Sequence, residues 1–355
     1  MSTGLIIGKF APLHKGHQKV IETALFQMQN VVVLIYDAPE ATNVPLQIRA
    51  RWIRSLYPRA DVIECWDGPA ACGYTPEIMK LQEDYVLTKL AGRKIDAIYS
   101  CEPYGEHMSK ALGAEDRRLS RFGIPTSGTL LRKDPYAGRE FLHPIVYRDL
   151  ILNVVFLGAP STGKSTLAEE LAKRHNTAWM PEFGHEYWLA HQSEHRLTPE
   201  QLVEIAEEHV LREDIALLKA NRVLFTDTNA LTTYVFSQYY HGQALSKLQM
   251  RALTAQSRYD LVFLCDTDIP FEDTWDRSGA ISREIMQKMI IADLRMRKIP
   301  FVKLSGSLER RIHLVDMYLD GFNKYDDPLV NYEKVCAWAF PVHRYEHFSL
   351  EKART

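Results

Sequence analysis

Short apolar runs alternate with longer amphipathic stretches along most of this chain. In the first part, "GLIIG", "VVVLIYD", "DVIEC" and "DAIYS" are each followed by a segment with helical spacing of apolar residues. Strands that alternate with helices in this way are typical of β-α units, in which the strands lie parallel. The pattern therefore predicts an α/β fold with a mainly parallel sheet.

The alternation stops between residues 132 and 150 and then starts again. The interruption, "RKDPYAGREFLHPIVYRDL", contains two prolines and mixed charge, and "ILNVVFLG", "RVLFTD", "DLVFLCD" and "IPFVKLS" predict a second set of strands. A long helix before the second of these is well marked, because Thr198 can cap it, Pro199 suits its first position and Gln201 completes a capping box. We predict two domains, residues 1–145 and 146–355.

Length and composition agree with this division. The 355 residues exceed the usual size of one hydrophobic core, and 46% of them are hydrophobic and 25% charged. A formal net charge of -2 argues against general nucleic-acid binding. The five cysteines form no C-x-x-C pair and no apolar run is long enough for a membrane span, so we expect reduced thiols and a cytoplasmic protein.

The stretch "GAPSTGKST", Gly158 to Thr166, fits the phosphate-loop pattern G-x-x-x-x-G-K-[ST]. A predicted strand precedes it and a predicted helix follows, which is the context the motif requires. In such a loop the backbone N–H groups surround the phosphates, Lys164 contacts the β and γ oxygens, and the Ser165 hydroxyl can bind Mg²⁺. The alternative is a glycine turn with an incidental lysine.

Three other features of the second part could serve a phosphoryl transfer. Asp227 ends the predicted strand "RVLFTD" and could act on Mg²⁺ through water or orient an attacking hydroxyl, although an aspartate there could also cap the next helix. "AWMPEFGHEYW" places Glu182 among aromatic residues that suit a flat ring joined to a ribose, or that belong to the core. "FEDTWDRSGAISR" resembles a mobile lid that brings arginine to a phosphate, or carries only solvated surface arginines.

The first part has no such lysine loop, but "GKFAPLHKGH", Gly8 to His17, follows its first strand. His14 and His17 lie three positions apart, so both could face one phosphate at the start of a helix. A turn with surface histidines and a zinc site are the alternatives, and no third metal ligand is evident nearby. We favour the phosphate, whose charge such donors stabilise without a covalent bond.

A second group of donors, "IPTSGTLLR", comes later in the first part. Ser127, Gly128 and Thr129 begin a predicted helix, and Arg132 follows one turn on. N–H groups, hydroxyls and a guanidinium suit a triphosphate. Alone, the stretch would be read as a helix cap, but together with the histidines it favours a phosphate site.

These motifs resemble those of a known family. "GKFAPLHKGH" and "TSGTLLR" look like the H-x-G-H and S-G-T-x-x-R signatures of the nucleotidylyltransferase superfamily, and their order before "GAPSTGKST" resembles the NadR-type bifunctional nicotinamide-mononucleotide adenylyltransferase and ribosylnicotinamide kinase. "SCEPYGEHMSKALGA", "PLQIRARWI", "AWMPEFGHEY" and "DTNALTT" are similar to further segments of that family. The likeness covers most of the chain.

The resemblance implies a Rossmann-like nucleotidylyltransferase domain followed by a P-loop kinase domain. The kinase would transfer the γ-phosphate of ATP to ribosylnicotinamide, and the first domain would join the resulting mononucleotide (NMN) to the adenylyl group of a second ATP, giving NAD and pyrophosphate. It implies Mg²⁺ as cofactor and only small-molecule partners, with a homo-oligomer left open. A separate nucleotide sensor, or an enzyme that acts on another vitamin-derived substrate, is the alternative.

Motifs and resemblance together assign the site residues. The predicted catalytic residues are His14, His17, Lys9, Arg132, Lys164, Asp227 and Glu182. The predicted ATP- or phosphate-binding residues are Gly8, Phe10, Ser127, Gly128, Thr129, Gly158, Ser161, Thr162, Gly163, Ser165, Thr166, Arg277 and Arg283. The predicted substrate-binding residues are Arg49, Trp52, Trp179, Tyr187 and Asp273, and Ser165 and Asp227 are the predicted magnesium residues.

The chain also departs from the family pattern. "EDRRLSR" has Arg118 where the family usually carries aspartate, while Arg121 is kept, and His185 occupies a position that is commonly arginine. Because the first catalytic strand begins at the N-terminus of the sequence, we expect no helix-turn-helix repressor segment and no direct transcriptional repression.

Overall fold

The computed structural model describes residues 1–69, 71, 73–120, 124–193, 196–270 and 279–326, without the side chains of 279–281. The chain divides into two compact units, Met1–Leu150 and Ile151–Thr355. The predicted boundary at residue 145 falls within the helix Pro144–Leu150, which is the last element of the first unit. None of the described helices is long and apolar enough to cross a membrane.

The first unit contains a five-stranded parallel sheet. Its strands are β1 (Thr3–Gly8), β2 (Asn30–Tyr36), β3 (Ala60–Cys65), β4 (Ala97–Ser100) and β5 (Glu115–Arg118). Its helices are α1 (Lys15–Gln27), α2 (Leu46–Leu56), α3 (Pro76–Leu90), α4 (Tyr104–Leu112), α5 (Gly128–Lys133) and α6 (Pro144–Leu150), with a 3₁₀ turn at Arg139–Phe141.

The order of the strands in this sheet is β3-β2-β1-β4-β5. The chain therefore builds outward from β1 in one direction and then in the other, so the order reverses beside β1. In open α/β sheets, ligands bind in the crevice at such a reversal, outside the carboxyl ends of the strands. Gly8, which begins the predicted phosphate segment, is the last residue of β1.

The second unit contains another five-stranded parallel sheet. Its strands are β6 (Leu152–Leu157), β7 (Trp179–Met180), β8 (Val223–Asp227), β9 (Leu261–Cys265) and β10 (Val302–Leu304). Its helices are α7 (Lys164–Arg174), α8 (Phe183–His191), α9 (Pro199–Leu217), α10 (Ala230–His241), α11 (Ser246–Ala255), α12 (Gly279–Met296) and α13 (Leu308–Gly321). The capping box predicted for α9 is present, with Thr198 as the cap.

The strand order here is β10-β9-β6-β8-β7, so β6 is the central strand. Its side chains alternate between two cores, since Val155 and Leu157 pack on one face of the sheet and Val154 and Phe156 on the other. The ring of Phe156 stacks on Phe225 and Phe263 from the neighbouring strands. A strand buried on both faces reads as a continuous apolar run, as the sequence does here. Both parallel α/β domains were thus correctly predicted.

Candidate active sites

A cavity of about 720 Å³ lies at the carboxyl ends of β1 and β4 in the first unit. Both phosphate-binding stretches predicted for this unit contribute to its wall. The predicted residues that line it are Gly8, Lys9, Phe10, His14, His17, Ser127, Gly128, Thr129 and Arg132.

The two histidines form the N-terminal cap of α1. The N–H of Gly16 donates to Nδ1 of His14 at 3.1 Å, and the N–H of His14 donates to Nδ1 of His17 at 3.4 Å. The two rings stack with their centroids 3.8 Å apart. A Cβ on Gly16 would lie 2.8 Å from the ring of His14, so this close approach requires glycine.

These hydrogen bonds determine where the neutral rings carry their protons. A nitrogen that accepts a backbone N–H bond has no proton of its own, so a neutral imidazole here holds its proton on Nε2. Each histidine can therefore donate one hydrogen bond without becoming charged. Among the described residues, no group of three or more His, Cys, Asp or Glu side chains could hold a metal ion, so the zinc alternative has no support.

Lys9 follows β1 directly and forms an ion pair within this unit. Its Nζ lies 2.5 Å from Oε1 of Glu40, and this hydrogen bond is the main reason that the pKa of Glu40 is below its ordinary value. Both side chains are about half exposed, and exposed ion pairs are weak. A triphosphate could therefore take the place of Glu40 as the partner of Lys9.

The second stretch reaches the first through Arg132. Its Nη1 donates to the carbonyl of Ala11 at 2.6 Å, although the two residues are 121 positions apart. Ser127 caps α5 by accepting a bond from the N–H of Leu130 at 3.3 Å. Ser127 therefore does cap a helix, as the alternative predicted, and it also lies on the cavity wall.

Arg49 and Trp52, which we predicted to contact substrate, do not line this cavity. Arg49 is 1% exposed, and its guanidinium bonds the carbonyls of Val44, Lys9 and Tyr36 and pairs with Asp37.

Trp52 has a similar structural role. It is fully buried, and its Nε1 donates to Oδ2 of Asp149 at 2.7 Å. The partners of both side chains lie within the unit itself, and direct contact of Arg49 and Trp52 with substrate stays a prediction.

The family departure at Arg118 falls on the edge strand β5. Its guanidinium pairs with Asp116 at 3.1 Å, and Arg118 does not line the cavity. Arg121 lies outside the described residues.

In the second unit, a cavity of about 520 Å³ borders the phosphate loop that follows β6. Gly158 and Gly163 have φ angles of 144° and 79°, and a Cβ on Gly158 would lie 2.7 Å from the carbonyl oxygen of Cys265. Glycine is required there by backbone conformation and by space. The predicted residues that line the cavity are Ser161, Thr162, Gly163, Lys164, Ser165, Thr166 and Glu182.

Lys164 is the first residue of α7 and is buried, with 7% of its surface exposed. Its Nζ donates to the carbonyl of Ala159 at 3.1 Å, and the hydroxyl of Thr162 donates to the same oxygen at 2.8 Å. Two side chains of the loop therefore bond to one carbonyl of the same loop. Its remaining N–H groups lie at the N-terminus of α7, where an anion is stabilised.

Side chains from two later helices hold the backbone of this loop. Oε1 of Gln287 accepts from the N–H of Ala159 at 2.8 Å, and Nε2 of the same amide donates to the carbonyl of Cys265 at 3.0 Å. Arg283 donates to the carbonyl of Ser161 at 2.9 Å, and Arg311 donates to that of Thr162 at 2.7 Å. Gln287 and Arg311 were not predicted, because no local motif marks residues so distant in the chain.

Asp227 ends β8, is fully buried and is not part of the cavity lining, although its neighbour Thr228 is. Burial, and next the negative charge of Glu182, raise its pKa to about 7, against the opposing effects of Lys164 and Ser165. Ser165 is close enough to lower this pKa, but neither carboxylate oxygen has a hydrogen-bond partner of normal geometry among the described residues. Asn229 caps α10 instead, so the cap alternative for Asp227 is wrong.

The aromatic segment reaches this cavity through residues other than those predicted. Trp179 lies on the two-residue strand β7 and packs into the core on the opposite face of the sheet from the cavity. Tyr187 is directed towards α9, where its hydroxyl bonds Glu204, and it does not line the cavity. His185 and Trp188 on α8 line it instead. Contact of Trp179 and Tyr187 with substrate stays a prediction, and neither residue lines this cavity.

Of the three predicted lid residues, the structure describes only Arg283. Asp273 and Arg277 lie outside the described residues. Arg283 is buried beside the phosphate loop, as its bond to Ser161 requires, so it is not a solvated surface arginine.

Comparisons with known proteins match both units of the chain. Residues 5–101 match a cytidylyltransferase-like family and residues 153–311 match an AAA domain. The "Trifunctional NAD biosynthesis/regulator protein NadR" of Escherichia coli K12 is 28% identical over 325 residues, 85% of this chain and 78% of that protein. The protein of the same description from Salmonella typhimurium LT2 is 28% identical over 84% of this chain and 78% of its own length.

Solved structures show the same fold. A NadR protein in complex with NR has a TM-score of 0.55 at 21% identity, over 89% of this chain and 94% of that chain. A NadR protein in complex with NAD and AMP-PNP has the same TM-score at 22% identity, with the same coverage of both chains.

The folds and sites define a protein with a nucleotidyltransferase-like unit followed by a P-loop unit, each with a cavity that predicted phosphate-binding residues line. The two relatives match across both units. Over both units, the chain is therefore similar to NadR-type proteins.

Proposed function

We propose that this protein makes NAD in two steps, by phosphorylating ribosylnicotinamide and then adenylating the mononucleotide. The observation that carries this proposal is the presence on one chain of a phosphate loop beside a buried strand-end carboxylate and of a histidine-capped helix beside a second cavity. The NadR relatives, which are named as NAD biosynthesis and regulator proteins, support it over both units. Two free thiols in this fold, Cys65 and Cys265, are buried, and we place the reactions in the cytoplasm.

In the kinase step, the 5′-hydroxyl of ribosylnicotinamide attacks the γ-phosphorus of ATP, and the bond to the β-γ bridging oxygen breaks. Lys164 exchanges the carbonyl of Ala159 for phosphate oxygens, and Arg283 can do the same from the carbonyl of Ser161. Asp227, whose pKa lies near 7, accepts the hydroxyl proton or orients the hydroxyl, and Glu182 lies on the same cavity wall as the loop. ADP and the mononucleotide are released.

Magnesium fits the acidic side of this site. Asp227 and Glu182 place two carboxyl groups near each other, and both oxygens of Asp227 are buried without a partner of normal geometry. Mg²⁺ is usually held by one or two protein oxygens together with substrate phosphates, and the Ser165 hydroxyl and Asp227, through water, would provide them. When bound, the ion would neutralise phosphate charge.

In the adenylyl step, a phosphate oxygen of the mononucleotide attacks the α-phosphorus of ATP and pyrophosphate leaves. The Nε2–H groups of His14 and His17 donate to the oxygens on which charge accumulates, and the caps on their Nδ1 atoms hold the rings in place. Lys9 and Arg132 add positive charge at the same wall. No covalent intermediate with the protein is required.

The test is to incubate the purified protein with ATP and Mg²⁺ and either ribosylnicotinamide or its phosphate, and to separate the products by chromatography. We expect the mononucleotide and NAD from the first substrate and NAD from the second. A protein that binds these nucleotides but consumes no ATP would be a sensor, and the proposal would be wrong. Riboflavin in place of ribosylnicotinamide tests the alternative of another vitamin-derived substrate.

A further inference from the structure

The first turn after β8 carries a group of buried polar atoms that have no hydrogen-bond partner among the described residues. They are the hydroxyls of Thr228 and Thr232 and Nδ2 of Asn229, and they follow the carboxylate of Asp227 directly. Thr228 and Thr232 are 5% and 3% exposed. Buried polar groups are normally satisfied, so such a concentration within six residues indicates a site that a polar ligand completes.

The backbone of Thr228 is also unusual. Its φ angle is 63°, in the left-handed region that β-branched residues rarely adopt. Its N–H donates to the carbonyl of Phe156 at 3.0 Å, which ties this conformation to the end of β6. Strained conformations of this kind persist where the surroundings impose them, and they are concentrated at functional sites.

Both hydroxyl-bearing side chains lie on the wall of the cavity that also borders Lys164 and Glu182. Thr233, the next residue after Thr232, lies on the same wall and differs from them in its hydrogen bonding. Its hydroxyl donates to the carbonyl of Asn229 at 3.5 Å and so is occupied by the main chain. The unpartnered hydroxyls are therefore not a general property of threonines in this helix.

We propose that Thr228 and Thr232 are specificity-determining residues that bind the vicinal sugar hydroxyls of the phosphate acceptor. A threonine hydroxyl can both donate and accept, as each hydroxyl of a ribose can. The site then selects a ribosyl acceptor over a deoxyribosyl one, because an absent hydroxyl leaves buried groups unsatisfied. This inference rests on the kinase activity proposed above.

The first experiment compares ribosylnicotinamide with its 2′-deoxy and 3′-deoxy analogues as phosphate acceptors. We expect the unaltered protein to prefer the ribosyl compound over at least one analogue by about a hundredfold or more in kcat/KM. Thr232→Val removes the hydroxyl and keeps the shape, and it lowers kcat/KM for the ribosyl compound by about tenfold to a hundredfold. Activity with the disfavoured analogue changes much less, so the preference shrinks.

Thr233→Val is the matched control, because its hydroxyl already bonds the main chain. It is expected to leave the ratio between ribosyl and deoxyribosyl acceptors unchanged, whatever its effect on stability. Thr232→Ser, which keeps a hydroxyl, is expected to restore the preference that Thr232→Val loses.

Thr228→Gly tests the strained residue by a separate measurement. Glycine adopts positive φ without penalty, so the midpoint of thermal unfolding should stay level or rise while kcat/KM for ribosylnicotinamide falls about tenfold or more. A loss of activity together with a lower midpoint would indicate a purely structural role and would count against Thr228.

Three results overturn the inference. They are equal use of all three acceptors by the unaltered protein, an unchanged preference in a folded Thr232→Val variant, and the same shift in the Thr233→Val control. If no nucleoside is phosphorylated, the kinase proposal itself fails. In that case, calorimetric titration of the unaltered protein measures its affinity for the three nucleosides and tests the threonine proposal separately from catalysis. Equal affinity for all three, or no binding, rejects the proposal.

Discussion

Replacing Asp227 by asparagine separates the catalytic role of this carboxylate from its effect on stability. The substitution keeps the shape of the side chain but removes its charge and its capacity to accept a proton. We expect kinase turnover to fall about a hundredfold or more, as is usual when a general base is lost. ATP binding should change much less, because Lys164 and the loop N–H groups remain.

The same substitution should stabilise the protein in a pH-dependent manner. The pKa of Asp227 is raised from 3.8 to about 7, so the folded chain retains a proton that the unfolded chain has lost between these values. Stability conferred by this group therefore falls as pH rises from about 4 to 7 and is constant above. The asparagine in the Asp227→Asn variant has no such titration.

The size of the effect follows from the shift. Each pKa unit corresponds to about 1.4 kcal/mol, so between about pH 5 and pH 8 the wild-type protein loses about 3 kcal/mol that the variant does not lose. A constant cost from the new amide, about 1 to 3 kcal/mol if its donors find no partner, cancels in the comparison between two pH values.

Calorimetric and urea unfolding at about pH 5 and pH 8 would measure this difference. Two units need not unfold together, so the transition of the second unit must be resolved from that of the first. Asp320→Asn, the same substitution at an exposed position on α13, is the control.

Two results would refute this reasoning. If the advantage of the variant is the same at both pH values, Asp227 does not carry the raised pKa described here. If turnover stays within about tenfold, or 1.4 kcal/mol of barrier, Asp227 does not handle the proton and Glu182 becomes the better candidate.

Three further predictions concern the phosphate sites. Lys164→Ala should abolish phosphorylation of ribosylnicotinamide, by several powers of ten, and leave NAD formation from the mononucleotide nearly intact; equal loss of both would contradict independent sites. His17→Ala should slow single-turnover NAD formation about a hundredfold to a thousandfold with little change in ATP affinity, and an unchanged rate would reduce the histidine pair to a helix cap. Gln287→Leu should raise KM for ATP in the kinase reaction about tenfold, because the peptide N–H of Ala159 loses its partner, with adenylyl transfer as the internal control.

The alternation of apolar runs and amphipathic stretches was sufficient to predict two parallel α/β sheets. Burial of a strand on both faces requires a continuous apolar run, and short motifs such as "GKFAPLHKGH" and "GAPSTGKST" carry their own turn, glycines and donors. The strand β5 was not predicted, because "EDRR" is entirely charged and becomes a strand only by pairing with β4 at the sheet edge.

Which side of an element faces the cavity was decided by tertiary structure alone. Trp179 and Trp188 are both aromatic and lie in one predicted segment, but a two-residue strand directs the first into the core and a helix places the second on the cavity wall. Arg49 was predicted to contact substrate because "PLQIRARWI" resembles a segment of the family. Its partners are three backbone carbonyls and Asp37, brought to it from separate segments by folding.

The side chains that hold the phosphate loop from outside are the part of the site that the sequence alone predicts least. The loop itself is local, since its shape depends on Gly158, Gly163 and the start of α7. Gln287 holds it from 128 positions away, and nothing in the residues around this glutamine differs from an ordinary helix. Its role exists only because β6 and β9 lie side by side, so that one amide can bond the N–H of Ala159 and the carbonyl of Cys265 together.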